Sequence, residues 1–394
     1  MKRLRFFLII IVCTTFWLGC KEEGQLYYLY DSSSIPAQVS DVKITSLPGS
    51  VNLTYKIPID KNLSYVKAVY EIQPGVFREA KSSLYRDTLN LVGFGDTLTY
   101  KVNIYSVGKN EKESVPMTVS VKPLLSPVKT VFNTLSVDAT FGGLNITFKN
   151  ESKADLAIIV MSDTASNSEW VPLFTHYTAA PDGKFSIRGL QAKESDFALY
   201  IRDRWNNKSD TLLTTLTPMY EELIPYTYFK LMTGLPSDKN KGQGKYVIAN
   251  IFNGKFGDRE DWYKSEDDTY PQWFTMDMGV PVIFSRMKLF QASQYPYVPD
   301  WVKEFEIWGT NELSDDWSKW VMLGKFESVK PSGLPDPSYT AEDLAYERAG
   351  EDYDFPTSIP AVRYMRFKVV SNRGGGGKFY ILNELTFWGQ INNQ

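Results

Sequence analysis

The sequence predicts an all-β protein built from three consecutive sandwich-like units. Three observations carry that reading. From Val39 onward, short stretches of alternating apolar and polar residues are broken by turn residues, and none sustains a 3.6-residue period. The pattern then recurs about 97 residues later, as an internal repeat does. From Met219 the texture changes, and seven of the ten tryptophans (Trp262, Trp273, Trp301, Trp308, Trp317, Trp320 and Trp388) fall in that last segment.

Bulk properties agree. A chain of 394 residues exceeds the roughly 100–200 residues of one domain. Its 43% hydrophobic and 14% aromatic content suffices for several cores. With 43 basic residues against 46 acidic ones, no basic face is implied, so nucleic acid is excluded as a partner.

Residues 1–19 open with a basic "MKRLRFF", continue with "FFLIIIVCTTFWL", too short for a membrane span, and close on "LG" before Cys20. This layout resembles a bacterial lipoprotein signal cut before Cys20, with Trp17 standing where such signals usually carry leucine. The resemblance implies that Cys20 carries a lipid. Lys21, Glu22 and Glu23 look like the charged surface-export tag of Bacteroidetes lipoproteins, which implies the outer membrane, facing the exterior. Cutting there removes Lys2, Arg3 and Arg5 and leaves 40 basic against 46 acidic residues. It also leaves no thiol and no disulfide, so packed cores must supply stability. The single histidine, His176, excludes His-rich zinc sites, and no G-x-S-x-G turn accompanies it.

Residues 20–38 read as a tether and 39–122 as the first sandwich. "VNLTYKIP" puts Leu53, Tyr55 and Ile57 on one face, and "DTLTYKVNIYSV" does the same for Leu98, Tyr100, Val102 and Ile104. Tyr100 sits where fibronectin type III domains carry their tyrosine corner, so this unit resembles that family. "KPLLSP" is a linker, and 123–218 repeats the strand order, Tyr100 matching Phe197, Ile104 matching Ile201, and Asn110–Ser114 matching Asn207–Ser209. The second unit reads as another immunoglobulin- or fibronectin-like sandwich. Trp205, on its hairpin, reads as packing against a neighbouring domain or, alternatively, as a ring to stack on a ligand.

In residues 219–394, "IANIFNGKFGDREDWY", "YPQWFTMDMG", "FSRMKLF", "VKEFEIWGTNELSDDWSKWVML", "AVRYMRFKV" and "ILNELTFWG" stand in the order of the discoidin, or coagulation factor V/VIII C-type, domain. The resemblance covers about residues 245–390 and implies a jelly-roll sandwich. Trp273, Phe305, Trp308, Phe367 and Trp388 alternate with polar neighbours and are expected in its core.

In the sugar-binding members of that family, loops at one end form a shallow site. Carried over, the resemblance implies glycan binding by Arg259, Trp262 and Tyr263 of the first loop, Gln294, Tyr295 and Tyr297 of the second, and Asn372 and Arg373 of the third. The chemistry suits carbohydrate: a pyranose C–H face stacks on an aromatic ring, and planar side chains bond hydroxyls. The prolines flanking Tyr295 and Tyr297 suggest a rigid, exposed pair. No cofactor is required, but the family's calcium position falls on Asn253, Asp258 and Glu384, with Asn253 offering a neutral oxygen.

The expected function is therefore a non-catalytic surface lipoprotein that captures a polysaccharide or host glycan. It looks like the accessory proteins of Bacteroidetes polysaccharide-utilisation systems, which serve a TonB-dependent transporter complex. Two alternatives remain at this stage. One is adhesion to a host protein or glycoprotein. The other is a glycoside hydrolase using two carboxylates among Asp258, Glu260, Asp261, Glu266, Asp267 and Asp268; adjacent acids there read as solvated surface.

Overall fold

A computed structural model of the chain describes residues 34–163, 169–231, 235–239, 241–255, 261–292 and 295–392. The signal-like segment and Cys20 lie outside them. Strands are the main regular structure of what is described, with only short helices among them, and they form three sheet-built units.

In the first unit, a three-stranded sheet (Ser40–Leu47, Ser50–Lys56, Thr88–Val92) faces a four-stranded one (Val76–Ser83, Leu63–Gln73, Tyr100–Gly108, Met117–Val121). Alternation decides what lies between them: Leu53, Tyr55, Leu89, Leu91, Val102 and Ile104 are buried. The Tyr100 hydroxyl donates to the Asp96 carboxylate at 2.7 Å and pins the corner before its strand. Leu98 lies before that strand and stays exposed, a correction to the face drawn from sequence.

The second unit repeats the plan. Strands Ser136–Thr140, Gly143–Lys149 and Asp182–Arg188 face Val171–Thr178, Leu156–Asp163, Ser195–Asp203 and Leu212–Leu216. A short helix, Pro127–Phe132, opens it and buries Val128 and Val131. His176 is half-buried and stacks on Phe185 at 4.2 Å, and burial lowers its pKa. The repeat register is corrected by hydrogen bonding. Ser106 N–H donates to Ser114 Oγ, and Ile201 N–H donates to Ser209 Oγ, so Ser106 corresponds to Ile201. The hairpins thus match two residues away from the pairing of Ile104 with Ile201. A two-residue slip keeps every side chain on its face, so alternation alone could not detect it.

Both junctions use one backbone device. The chain leaving the first unit returns to its first β-turn, with Leu124 N–H donating to Leu47 C=O and Gly49 N–H to Leu124 C=O. At the second junction, Met219 N–H donates to Thr140 C=O and Gly142 N–H to Met219 C=O. Gly49 and Gly142 hold φ of +60° and +63°, where a side chain is strained. Trp205 packs on the core of the first unit, against Gly93, as its hairpin position suggested. Beside it, buried Asn207 donates to Gly93 C=O at 3.0 Å and accepts from Gln73 at 3.0 Å. At the second junction Arg188 pairs with Asp354 at 2.6 Å, and Glu221 accepts from Ser285 at 2.7 Å.

In the C-terminal unit one long strand, Gln272–Phe290, serves both layers. Its first half pairs with Val362–Asn372, from Gln272 opposite Val369 to Asp277 opposite Tyr364. Past Gly279 its second half pairs with Glu384–Ile391, from Val282 opposite Ile391 to Phe290 opposite Glu384. Phe274, Phe284, Phe305, Phe367 and Phe387 fill the space between the layers.

The tryptophans expected there are placed differently. Trp273 and Trp308 are half-buried on the opposite face of their sheet, where each meets Trp317 edge-on at 5.2 Å. Trp388 is likewise half-buried, with the Arg286 guanidinium 3.7 Å from its ring centre. The reason is parity. Phe305 and Trp308 are an odd number of residues apart on one strand and cannot share a face. The outer indoles are held by cations instead: Lys368 lies 5.7 Å over Trp308, and buried Arg366 stacks 4.7 Å from Trp317 and 4.1 Å from Trp320.

Candidate functional site

One end of the C-terminal sandwich collects all three loops singled out in the sequence. A two-residue strand, Tyr263–Lys264, pairs with Ile381–Leu382, and Trp301 bridges to Ile381, so the loops are stitched by backbone bonds. Trp262, Ala292, Tyr297, Trp301 and Ile381 form a buried cluster distinct from the main core, with Tyr246, Val298 and Phe379 half-buried around it.

At the rim of this cluster Tyr295 is 49% exposed, and its ring meets Trp262 edge-on at 6.3 Å. Tyr246 reaches the other side of Trp262 at 6.4 Å. Because side chains alternate, Tyr263 points inward and Lys264 outward, which sets the Lys264 ammonium 3.9 Å above the Phe379 ring. Partial burial raises the Asp300 pKa, and the neighbouring Lys264 charge opposes that shift. Aromatic edges and faces flanked by an ammonium and a carboxylate can stack on an apolar ring face and bond its hydroxyls.

Of the residues read from the sequence, Trp262 stands in this cluster and Tyr295 at its rim. Arg259 and Gln294 lie outside the described residues. Four others expected to bind glycan, Tyr297 among them expected to be exposed, are turned inward or engaged within the protein. Tyr263 is fully buried, and its hydroxyl donates to Lys239 C=O at 3.1 Å. Tyr297 is buried at φ +56°, and its hydroxyl donates to Asp343 C=O at 2.8 Å. Its ring lies between the Lys330 ammonium at 4.4 Å and the Arg373 guanidinium at 5.0 Å. Arg373 is spent on Asp336 at 3.2 Å and on Ser328, and Asn372 is buried with its amide directed to Phe379 C=O. The physical cause is the segment after the strand Val321–Glu327: it folds back as the helix Ala341–Ala349 and covers Tyr297.

Tyr246, Lys264, Asp300 and Phe379 were missed. Lys264 was accessible in principle, as the residue following an inward aromatic on a strand. Phe379 and Asp300 join it only through pairing distant in sequence.

Three acids of the first loop are internally committed, while Glu266 is exposed. Asp268 pairs with Lys239 at 2.7 Å, Asp267 accepts from Gln243 at 2.8 Å, and Asp261 accepts from Asn253 at 3.2 Å.

The position suggested for calcium has one telling feature. Glu384 is fully buried, and neither carboxylate oxygen accepts a hydrogen bond of normal geometry, although the backbone of Asn253 and Gly254 and the Tyr226 hydroxyl lie close. Burial lifts its pKa to about 7, against opposing hydrogen-bond contributions, and Asp261 adds a like charge. A buried carboxylate beside a second one suits a divalent cation. Asn253 Oδ1 accepts from Lys255 N–H at 2.7 Å and would have to turn to join, while Asp258 lies outside the described residues. Among the described residues, no three His, Cys, Asp or Glu side chains gather as ligands.

Three family models match the chain, each a domain of unknown function: DUF4959 at residues 36–123, DUF5126 at 124–227 and DUF5000 at 252–389. Among solved structures, SusE-like protein BT2857 is 33% identical, the match covering 68% of this chain and 100% of that one with a TM-score of 0.44. CBM32-3 from a family 31 glycoside hydrolase of Clostridium perfringens is 15% identical, covering 43% and 95% with a TM-score of 0.32. The C-terminal domain of a chitobiase from Bacteroides fragilis is 17% identical, covering 44% and 100% with a TM-score of 0.31. No curated protein matches the chain.

Proposed function

The chain belongs to the family of SusE-like proteins, as its 33% identity over the whole of such a protein establishes, and from that premise we propose that it is a non-catalytic glycan-binding protein of the bacterial cell surface. The observation that carries the reading is the convergence of three loops, far apart in sequence, on one aromatic rim with Tyr295 exposed, Lys264 over Phe379, and Asp300 neighbouring Lys264. A rim built this way grips a saccharide by ring stacking and by hydroxyl bonding, without reacting with it.

In this reading the lipid on Cys20 tethers the chain to the outer membrane, and the two N-terminal sandwiches hold the rim away from it. A polysaccharide or host glycan is captured there and passed to a TonB-dependent transporter complex. A structural calcium at the position of Glu384, Asn253 and Asp258 would neutralise the buried Glu384 carboxylate beneath the first loop and stiffen it. Catalysis by Asp261, Asp267 and Asp268 of the first loop is disfavoured, because each is engaged internally.

The test is affinity electrophoresis of the full chain through gels containing starch, pectin, mucin glycans or chondroitin sulfate. At least one polymer should retard the wild-type chain, and Tyr295→Ala with Lys264→Ala should weaken that retardation about tenfold. Equal mobility of wild type and variant in the retarding gel removes the rim as the binding site.

A further inference from the structure

We propose that the middle unit carries a second saccharide subsite, on the outer face of its four-stranded sheet; this rests on the glycan-binding reading above. The strand Leu156–Asp163 is apolar on both faces: Leu156 and Ile158 pack inward, while Ala157 and Ile159 point outward. Ala157 and Ile159 are nonetheless under a tenth exposed, shaded by long neighbours on the flanking strands.

Register explains the shape. Tyr177, Ala157 and Arg202 stand side by side on three adjacent strands. With strands about 4.8 Å apart, a small residue between two long ones leaves a trough about 10 Å wide between tyrosine and arginine. The next outward row is Thr175, Ile159 and Tyr200. The resulting cavity, about 560 Å³, is also lined by Asp155, Arg204 and Asn206. That volume falls within the range of small-ligand sites.

Three of its polar side chains are uncommitted, in contrast to Arg373 and Asn372 of the C-terminal unit. Among the described residues, the side chains of Tyr177, Arg202 and Asp155 make no internal hydrogen bond or ion pair, and Tyr177 is 73% exposed. The lining at Asn206 is rigid before any ligand arrives. Asp203 accepts from Trp205 N–H and Asn207 N–H at 2.9 Å each, Asn207 is bonded to the first unit, and Asn206 is held at φ +65°. Fixing the lining through the domain junction removes ordering cost from binding. An apolar floor, one exposed phenol wall and a rim of guanidinium, carboxylate and amide match a sugar ring, which offers an apolar face and peripheral hydroxyls.

The experiment uses the full chain in the polymer gel that retards it most. Four forms are compared: wild type, Tyr177→Ala/Arg202→Ala, Tyr295→Ala/Lys264→Ala, and the combination, with circular dichroism melts confirming that each is folded. Loss of the middle pair should weaken retardation at least fivefold in the wild-type background, and the combination should migrate as in a polymer-free gel. If Tyr177→Ala/Arg202→Ala migrates as wild type, the middle subsite is wrong while the rim stands. If no gel retards the wild-type chain, the glycan-binding reading fails and the subsite with it.

Discussion

Replacing Glu347 by glutamine should stabilise the C-terminal unit in mildly alkaline solution. Glu347 sits near the end of the helix Ala341–Ala349, 2% exposed, with one carboxylate oxygen lacking any hydrogen bond. Burial, and then the charge of the equally buried Glu351, raise its pKa from 4.5 to about 7. A folded-state pKa above the unfolded value means that the folded chain holds the proton more tightly. The stability tied to that proton is present below about pH 4.5 and is lost as pH rises through about 7. At 1.36 kcal/mol per tenfold, the ionised form costs about 3 kcal/mol relative to the protonated one. Glutamine keeps the shape and never ionises, so the cost should vanish at pH 8.5 and matter little near pH 4.5. For a unit of this size that is a rise in Tm of about 6–12 °C at pH 8.5. Intrinsic fluorescence reports on this unit selectively, because seven of the ten tryptophans lie in it. Wild type and variant melting together at pH 8.5, or a variant that melts lower there, would refute the reasoning.

Three further outcomes are expected. Tyr297→Phe removes the bond to Asp343 C=O in a buried site and should cost about 1–3 kcal/mol in urea titrations followed by fluorescence; an unchanged midpoint would contradict the burial described. Gly142→Ala places a side chain at φ +63° and against Glu221, costing roughly 1–2 kcal/mol, and should loosen the second junction, read as faster proteolysis near residues 217–222. If calcium occupies the Glu384 position, adding it in millimolar excess should raise the Tm of the C-terminal unit, EDTA should reverse the rise, and Glu384→Gln should abolish it; a Tm indifferent to calcium removes the cation from the proposal.

Much of the architecture was legible without coordinates. Period-two alternation in "VNLTYKIP" and "LNITFKN", the absence of helical periodicity, and the recurrence of one strand order are local properties, and locality is what sequence displays best. The turn hairpin bearing Trp205 was likewise readable as a contact to a neighbour, since a large exposed indole at a tip seeks cover. The site was only half legible. Three loops could be named, and Tyr295 with Trp262 among them, but their partners could not.

Alternation states that residues share a face without stating which face is inward, so Trp273 and Trp308 were assigned to the core while the phenylalanines of the same strands occupy it. Loop composition suggests exposure, but whether Tyr297 faces water depends on a segment more than thirty residues later folding back over it with Lys330 and Asp343. Tertiary structure alone decided that Arg373 neutralises Asp336 instead of meeting a ligand, and that Lys264 rises over Phe379. Sequence determines the periodicities because they arise from backbone geometry within a few residues. Exposure, pairing and the vacancy of a polar group arise from contacts between segments, and those exist only once the chain has closed on itself.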